Sequence, residues 1–282
     1  MDWFLEPFLL GFQQRALLGG LAAGVMSSVV GVWLVLRGMS FFGDAFVHGV
    51  LPGIAAATIF GFNPYLGAAV AAIVMVGGIE LIHRQTALKE DTAIGLLFVG
   101  MMALGVAIIS KSSSYTGSLT NILFGDIFGV SAETLTAMAV LGTPVLLGSL
   151  LLYRPLLALS FSPTKAKTLG MSPRFTHAAL LVLIATAVIA SFQAVGTLLV
   201  FALLVGPPAT AALVTRTIPQ MFVTSVVLAS FTVWLGLVLS YHWGTAGAAT
   251  IALVAIALFF LVLAVKPLFR RREQPAPKEV AA

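Results

Sequence analysis

Long apolar stretches alternate with short polar segments along almost the whole chain. Because an α-helix rises about 1.5 Å per residue, a hydrocarbon layer of about 30 Å takes roughly 20 apolar residues to cross. The pattern predicts nine such helices, at residues 16–36, 40–60, 64–82, 92–110, 134–152, 176–193, 195–214, 221–240 and 248–265. The count becomes eight if the sixth and seventh, which meet near Phe192–Gly196, form one span.

The composition supports an all-α, polytopic membrane protein. Of the 282 residues, 60% are apolar and 9% are charged, whereas a soluble domain is about half apolar and about a quarter charged. The segments between the spans are too short for a soluble catalytic domain, so we expect that the chain is not an enzyme. Cysteine is absent, which excludes disulfides and thiolate metal sites, and nothing in the charge pattern points to a nucleic-acid partner.

The basic residues indicate the orientation in the cell (inner) membrane. With the C-terminus in the cytoplasm, every Lys and Arg except Arg15 and Lys111 lies on the cytoplasmic side, as the positive-inside rule requires. Nine spans then place the N-terminus outside the cytoplasm. We expect residues 1–15 to form an interfacial segment, 16–269 a transmembrane domain and 270–282 a disordered cytoplasmic tail.

Asp44 and His48 are ionisable residues inside a predicted span, in RGMSFFGDAFVHGVLPG. On a helix, the i, i+4 spacing stacks both side chains on one face. His48 follows Arg37 by eleven residues, which is about 16 Å of helix and close to the midplane. An ionisable group there costs several kcal/mol unless it is paired or faces water, so this pair is the first candidate for function.

A carboxylate and an imidazole one turn apart suit a divalent cation such as Zn²⁺, Mn²⁺ or Fe²⁺. Two ligands are too few for a tight structural site, so they fit a transient site on a path, particularly if a second subunit brings the same pair to a shared axis. The alternative is that Asp44 and His48 hydrogen-bond to each other or to neighbouring helices and hold the bundle together. The spacing alone favours neither.

Prolines interrupt two of the predicted spans. Pro52 predicts a bend just beyond His48, and the consecutive Pro207 and Pro208 predict a broken helix in the seventh span. Membranes tolerate such breaks only where the freed carbonyl groups face protein or a water-filled cavity. Two explanations stay open: the prolines line a translocation path, or they reflect close helix packing through Gly and Ala.

A short helix is predicted in the cytoplasmic segment LSFSPTKAKTLGMSPRF. Ser162 fits the N-cap and Pro163 the first helical position, and Gly170 followed by Pro173 ends the helix. The helix has barely two turns, so it needs a partner to be stable. That partner is either the anionic lipid headgroups, which its basic residues would contact, or a groove on a cytoplasmic protein.

Together these residues resemble the permease subunits of the ABC-3 family, ABC transporters that import zinc, manganese or iron. The resemblance extends from about Leu17 to Phe269 and rests on several segments in the same order. These are RGMSFFGDAFVHGVLPGIA at 37–55, KEDTAIGLLF at 89–98, LTNILFGDIFGVS at 119–131, SPTKAKTLGMSP at 162–173, LLVFALLVGPPATAALVT at 198–215 and GTAGAATIALVAIALFFL at 244–261. The paired GPP at 206–208 departs from the single proline expected of the family.

The resemblance implies a type II ABC importer-like permease that forms a homodimer, with a cytoplasmic ATP-binding subunit on each copy and an extracytoplasmic metal-binding protein. It implies that Asp44 and His48 lie in the ion path. It also implies a coupling helix, through which conformational changes of the ATPase reach the permease. The loop that forms this helix contains Ser162, Pro163, Ala166, Leu169 and Gly170. ATP binds to the partner, since the chain has no GxxxxGK[ST] motif, and we expect no cofactor in the chain itself.

The function expected is therefore that of a permease that passes zinc, manganese or iron into the cytoplasm by alternating access. One alternative is a permease for an organic metal chelate of the siderophore or cobalamin type, which needs a wider path and no contact between the metal and Asp44 or His48. Another is a proton-coupled secondary carrier, which would transport without an ATPase.

Overall fold

A computed structural model describes residues 2–85, 90–110 and 125–270. All regular structure in these residues is helical, which confirms the predicted fold class. The helices are α1 (Asp2–Leu5), α2 (Gly11–Leu36), α3 (Ser40–Gly49), α4 (Leu51–Phe60), α5 (Pro64–Gln85), α6 (Glu90–Ile109), α7 (Ala132–Leu151), α8 (Tyr153–Phe161), α9 (Pro163–Thr168), α10 (Pro173–Val214), α11 (Ile218–Trp243) and α12 (Gly247–Arg270). Short 3₁₀ helices span Glu6–Leu9 and Ile127–Gly129.

Within the described residues, 8 helical segments are long and apolar enough to cross a membrane. They correspond to all the predicted spans except the fourth, whose apolar part in α6 is the shorter segment Thr92–Ile108. The chain is therefore a multi-pass membrane protein. The helix of the first span begins at Gly11, five residues before the predicted 16. Its first turns include the polar residues Gln13, Gln14 and Arg15, which the prediction places before the span.

Two central helices organise the bundle. Helix α2 packs against α7, α10 and α11, and α10 also packs against α3, α7 and α12. A second group is formed by α3 to α6, in which α4 crosses α5 and α6. A Cβ added at Gly53 of α4 would collide with the backbone of Gly67 in α5, so glycine lets these two helices touch backbone to backbone.

The helix ends fall on two opposite sides of the bundle. On the side of α1, the ring of His242 stacks on Trp3 with centroids 4.1 Å apart, and Arg15 Nε donates to the Val130 carbonyl at 3.1 Å. On the side of α9, Arg37 Nη1 and His177 Nδ1 are 2.7 Å apart. These contacts agree with the predicted alternation of the spans.

Helix α6 crosses the bundle although its apolar part is short. Its Phe98 ring lies 6.0 Å from that of Phe41, and a Cβ added at Gly105 would lie 3.2 Å from the nitrogen of Pro52. The residue numbers of the contacting pairs increase together in the two segments, so α6 runs parallel to α3 and α4. With 20 residues, α6 is about 30 Å long and spans the same depth.

The break between the sixth and seventh predicted spans lies at Gly196. There the backbone leaves the helical region, with φ 76° and ψ 164°, and both flanking segments, Pro173–Phe192 and Ala194–Val214, are long enough to cross. The two spans are therefore separate crossings, not one. Positive φ combined with an extended ψ is a conformation that essentially only glycine adopts.

The prediction of a broken helix at Pro207 and Pro208 is wrong. Helix α10 continues through both prolines to Val214. Proline removes a backbone donor, so Pro208 leaves the Leu204 carbonyl without its helical partner. That carbonyl lies against Gly31 of α2, where an added Cβ would collide with it. The freed group faces protein, and the helix has no need to open.

The ends of the chain lie partly outside the described residues. Residues 2–9 fold into α1 and the first 3₁₀ helix, with Trp3 and Phe4 more than two-fifths exposed and Pro7 buried. The interfacial position of residues 1–15 stays a prediction. The predicted disordered tail, 270–282, lies outside the described residues except for Arg270, the last residue of α12.

Candidate functional site

Helix α3 places Asp44 and His48 one above the other. His48 Nε2 lies 3.5 Å from Asp44 Oδ1, as the i, i+4 spacing predicts. Helices α3 and α4 together cover Ser40–Phe60, a 21-residue segment of about 30 Å, in which His48 lies about 12 Å from the first residue. His48 is therefore close to the middle of a membrane-spanning segment, and Asp44 lies one turn, about 6 Å, nearer its first residue.

The face of α3 that carries the pair is the face left partly open. Phe42, Ala45, Phe46 and Val47 of the same helix are fully buried, whereas the side chains of His48 and Asp44 are 22% and 29% exposed. Phe41, one turn before Asp44 and two turns before His48, is 45% exposed. The two ionisable side chains therefore lie on the less buried face of α3.

The distance within the pair is compatible with both explanations left open by the sequence. A hydrogen bond between a nitrogen and an oxygen is about 2.7–3.2 Å long, so 3.5 Å is too long for a good one. Two ligands about 2.1 Å from one tetrahedral cation lie about 3.4 Å apart. The separation fits two ligands of one ion and also fits a loose ion pair, so the role of the pair stays a prediction.

The pair does not form a complete metal site. Among the residues that the structure describes, no group of three or more His, Cys, Asp or Glu side chains could hold a metal ion. A tetrahedral ion takes four ligands, and Asp44 with His48 supplies two. The second nitrogen of His48, Nδ1, is buried without a hydrogen-bond partner in the described chain.

Phe98 is the residue at the site that sequence reasoning missed. Its ring lies 6.1 Å from the His48 ring, with an interplanar angle of 57°, and it also contacts Phe41. An aromatic ring beside the imidazole limits the directions from which an ion can approach. Phe98 belongs to one of the segments that carry the family resemblance. The sequence pattern does not predict that α6 packs on α3, so it could not place Phe98 beside His48.

Pro52 interrupts the second span as predicted. Helix α3 ends at Gly49 and α4 begins at Leu51, with Pro52 in its first turn and Val50 between the two helices. Pro52 is buried, against Gly105 of α6. The break therefore lies directly beyond His48, and whether Pro52 lines a path stays a prediction.

The prolines of α10 lie behind the site. Pro207 and Pro208 are both buried, and Pro208 packs at Gly31 of α2. One turn earlier, Leu204 Cδ2 would lie 2.6 Å from a Cβ added at Gly43, the residue before Asp44. The proline segment therefore supports the back of α3, in agreement with the packing explanation, and its place on a path stays a prediction.

The loop predicted to couple to an ATPase folds as the sequence indicates. Helix α9 begins at Pro163, directly after Ser162, and a left-handed Gly170 with φ 74° follows it. The amide of Met171 donates to the Ala166 carbonyl at 3.1 Å and closes the end, as in a common helix C-cap. Ala166 of α9 is 1% exposed, whereas Leu169, in the turn directly after α9, is 68% exposed, so the helix is packed on the bundle at Ala166 and the turn after it is open to solvent.

Comparison with known proteins gives a consistent family. The sequence profile of the ABC 3 transport family matches residues 10–266. The manganese transport system membrane protein MntC of Listeria innocua is 35% identical over 94% of this chain and 94% of its own length. A probable iron transport system membrane protein of Haemophilus influenzae is 35% identical over 93% of this chain and 97% of its own.

A solved structure agrees in both sequence and fold. PsaBC from Streptococcus pneumoniae, determined in complex with Fab, superposes with a TM-score of 0.85 at 32% identity, covering 96% of this chain and 99% of the matched chain. The resemblance in the sequence, the order of the helices and these matches agree over nearly the whole length. The chain belongs to the ABC 3 transport family.

Proposed function

We propose that this chain is the membrane-spanning permease subunit of an ATP-driven importer of manganese, zinc or iron, and that Asp44 and His48 contact the ion during its passage. The observation that carries the proposal is the 3.5 Å pair of Asp44 Oδ1 and His48 Nε2 on the partly open face of a mid-membrane helix. Relatives named for manganese and for iron transport support a divalent cation as the substrate.

The chemistry of the pair suits transport better than storage. Carboxylate oxygen favours Mn²⁺ and imidazole nitrogen favours Zn²⁺ and Fe²⁺, so the mixed pair accepts all three. With two protein ligands the ion keeps water molecules or shares a second pair, and its binding stays weak enough to be released. A homodimer that brings two copies of the α3 face together would supply that second pair.

The energy for transport comes from a separate subunit in this proposal. A cytoplasmic ATP-binding protein docks on α9 and the turn that follows it, where buried Ala166 anchors the helix and exposed Leu169, directly after the helix, contacts the partner. An extracytoplasmic metal-binding protein delivers the ion on the side of α1. ATP is hydrolysed by the docked subunit, and this chain moves the ion by opening alternately to the two sides of the cell membrane, with the C-terminus in the cytoplasm.

Metal uptake by cells that carry alanine at both Asp44 and His48 tests the proposal. We expect uptake of radioactive ⁵⁴Mn²⁺ or ⁶⁵Zn²⁺ to fall to background, while the variant still co-purifies with the ATP-binding subunit. Glu133→Ala is a matched control, since Glu133 is an exposed carboxylate in the first turn of α7, and uptake should stay at the original level. Unchanged uptake in the double variant would reject the role of the pair.

The same assay distinguishes a free ion from an organic chelate. If the ion itself is the substrate, excess unlabelled Mn²⁺ or Zn²⁺ competes with the labelled metal, and an iron siderophore does not. A permease for a chelate gives the opposite pattern and tolerates alanine at positions 44 and 48. Uptake that persists without the ATP-binding subunit would indicate a secondary carrier.

A further inference from the structure

An apolar groove lies on the outer surface of the bundle between α7 and α11, away from Asp44 and His48. It has a volume of about 660 Å³, and Leu146, Leu150, Val223, Val226 and Val227 line its walls. Leu150, Val223 and Val227 are each more than half exposed, so the groove opens sideways. In a membrane-spanning bundle this opening faces the acyl chains of the bilayer.

Val29 of α2 forms the floor of the groove, and Trp33 of the same helix packs against two of the other residues that line it. Trp33 of α2 is fully buried, and its ring makes edge contacts with Tyr153 and Phe222 at centroid distances of 5.5 and 5.1 Å. Trp33 Nε1 donates to Ser149 Oγ at 2.9 Å, which engages the polar atoms of both residues. The volume is within the range of about 300–1,000 Å³ that is usual for ligand sites.

Positive charge lies at one end of this apolar groove. Arg154 directly follows Tyr153, and Arg216 precedes Pro219 by three residues, and both Tyr153 and Pro219 line the groove. Both arginines are exposed, and neither has a hydrogen bond or ion pair with a residue that the structure describes. Segments 146–154 and 216–227 contain no Asp or Glu that could neutralise them.

We propose that this groove binds one anionic phospholipid, with an acyl chain between α7 and α11 and the phosphate at Arg154 and Arg216. An apolar slot open to the bilayer fits the chain, and two arginines at its end, on the same side of the bundle as α9, fit a phosphate at headgroup level. Since the groove is lined by three of the packed transmembrane helices, the bound lipid holds α7, α11 and the floor formed by α2 together.

Native mass spectrometry of the purified chain in detergent tests this proposal, with dioleoylphosphatidylglycerol and dioleoylphosphatidylcholine as probes. We expect one phosphatidylglycerol to bind at a concentration at which phosphatidylcholine does not. The double variant Arg154→Gln/Arg216→Gln should weaken phosphatidylglycerol binding about 30-fold and remove the preference, given the usual contribution of two basic residues at a membrane surface. The double change to Lys should retain most of the preference because it keeps both charges.

Two further variants keep the test specific to the groove. Arg174→Gln removes another exposed arginine on the side of α9 that does not border the groove, and it should leave lipid binding unchanged. Val226→Trp fills the slot and should weaken both lipids. Equal binding of the two lipids, or unchanged binding in the glutamine variant, would overturn the proposal, as would a groove variant that alters only the association of two copies of the chain.

Discussion

Gly125 and Gly196 meet backbone to backbone on the α1 side of the bundle. A Cβ added at Gly125 would collide with the nitrogen of Gly196, and both residues have positive φ, 64° and 76°. The segment that precedes α7 therefore contacts α10 at the residue where α10 is interrupted. Gly125 therefore lies directly against the position where the sixth span ends and the seventh begins.

Gly196→Ala should lower the free energy of unfolding by about 1–3 kcal/mol, because alanine does not tolerate this backbone conformation. The measurement is denaturant unfolding of the purified chain in detergent. Gly100→Ala in α6 is the control: an added Cβ there meets nothing within 4 Å, so stability should stay the same or rise slightly. Equal stability of the Gly196 variant and the original chain would contradict the assignment of the break.

Gly31→Ala tests how the packing of α2 accommodates the two prolines of α10. The new methyl group would meet the Leu204 carbonyl that Pro208 leaves unpaired, and helices α2 and α10 would have to separate. We expect a loss of about 1–3 kcal/mol, typical of overpacking, in the same unfolding assay. Gly95→Ala, where an added Cβ also has open space, should show no such loss.

Asp44→His and His48→Asp should change metal preference in opposite directions. Two imidazoles favour Zn²⁺ over Mn²⁺, and two carboxylates favour Mn²⁺ over Zn²⁺. The ratio of ⁶⁵Zn²⁺ to ⁵⁴Mn²⁺ taken up from an equal mixture should differ between the two variants by about tenfold or more, which corresponds to roughly 1.4 kcal/mol. An identical ratio in both would mean that the pair does not contact the ion.

Leu169→Asp should release the ATP-binding subunit. The side chain is 68% exposed in the turn directly after α9, so a charge there disrupts an apolar contact with a partner and leaves the fold of this chain intact. Co-purification of the ATP-binding subunit should fall at least about tenfold, as expected when a buried interface anchor is lost. Thr217→Asp is the control, since Thr217 is exposed at the N-cap of α11, where aspartate is favourable.

Single cysteines can report the orientation directly, because the chain contains none of its own. Thr164→Cys lies on α9 and Trp243→Cys at the end of α11, on opposite sides of the bundle. With the C-terminus in the cytoplasm, a membrane-impermeant maleimide should label position 243 in intact spheroplasts and position 164 only after the membrane is opened. The reverse pattern would contradict the positive-inside assignment.

The rough bounds of the membrane-spanning helices were predictable because each span must be apolar over the full thickness of the bilayer, and that requirement is local. The stacking of Asp44 on His48 was predictable for the same reason, since it follows from helical geometry within one turn. The bounds of α9 followed from Pro163 and Gly170, whose backbone preferences act without help from the rest of the fold.

The tertiary structure decided the features that depend on neighbouring helices. The helix is interrupted at Gly196 and continues through Pro207 and Pro208, where the Leu204 carbonyl that Pro208 leaves unpaired lies against Gly31 of α2. The open face of α3, the ring of Phe98 beside His48 and the groove between α7 and α11 also arise from packing between distant segments. The hydrophobic periodicity of one helix does not predict which other helix packs beside it.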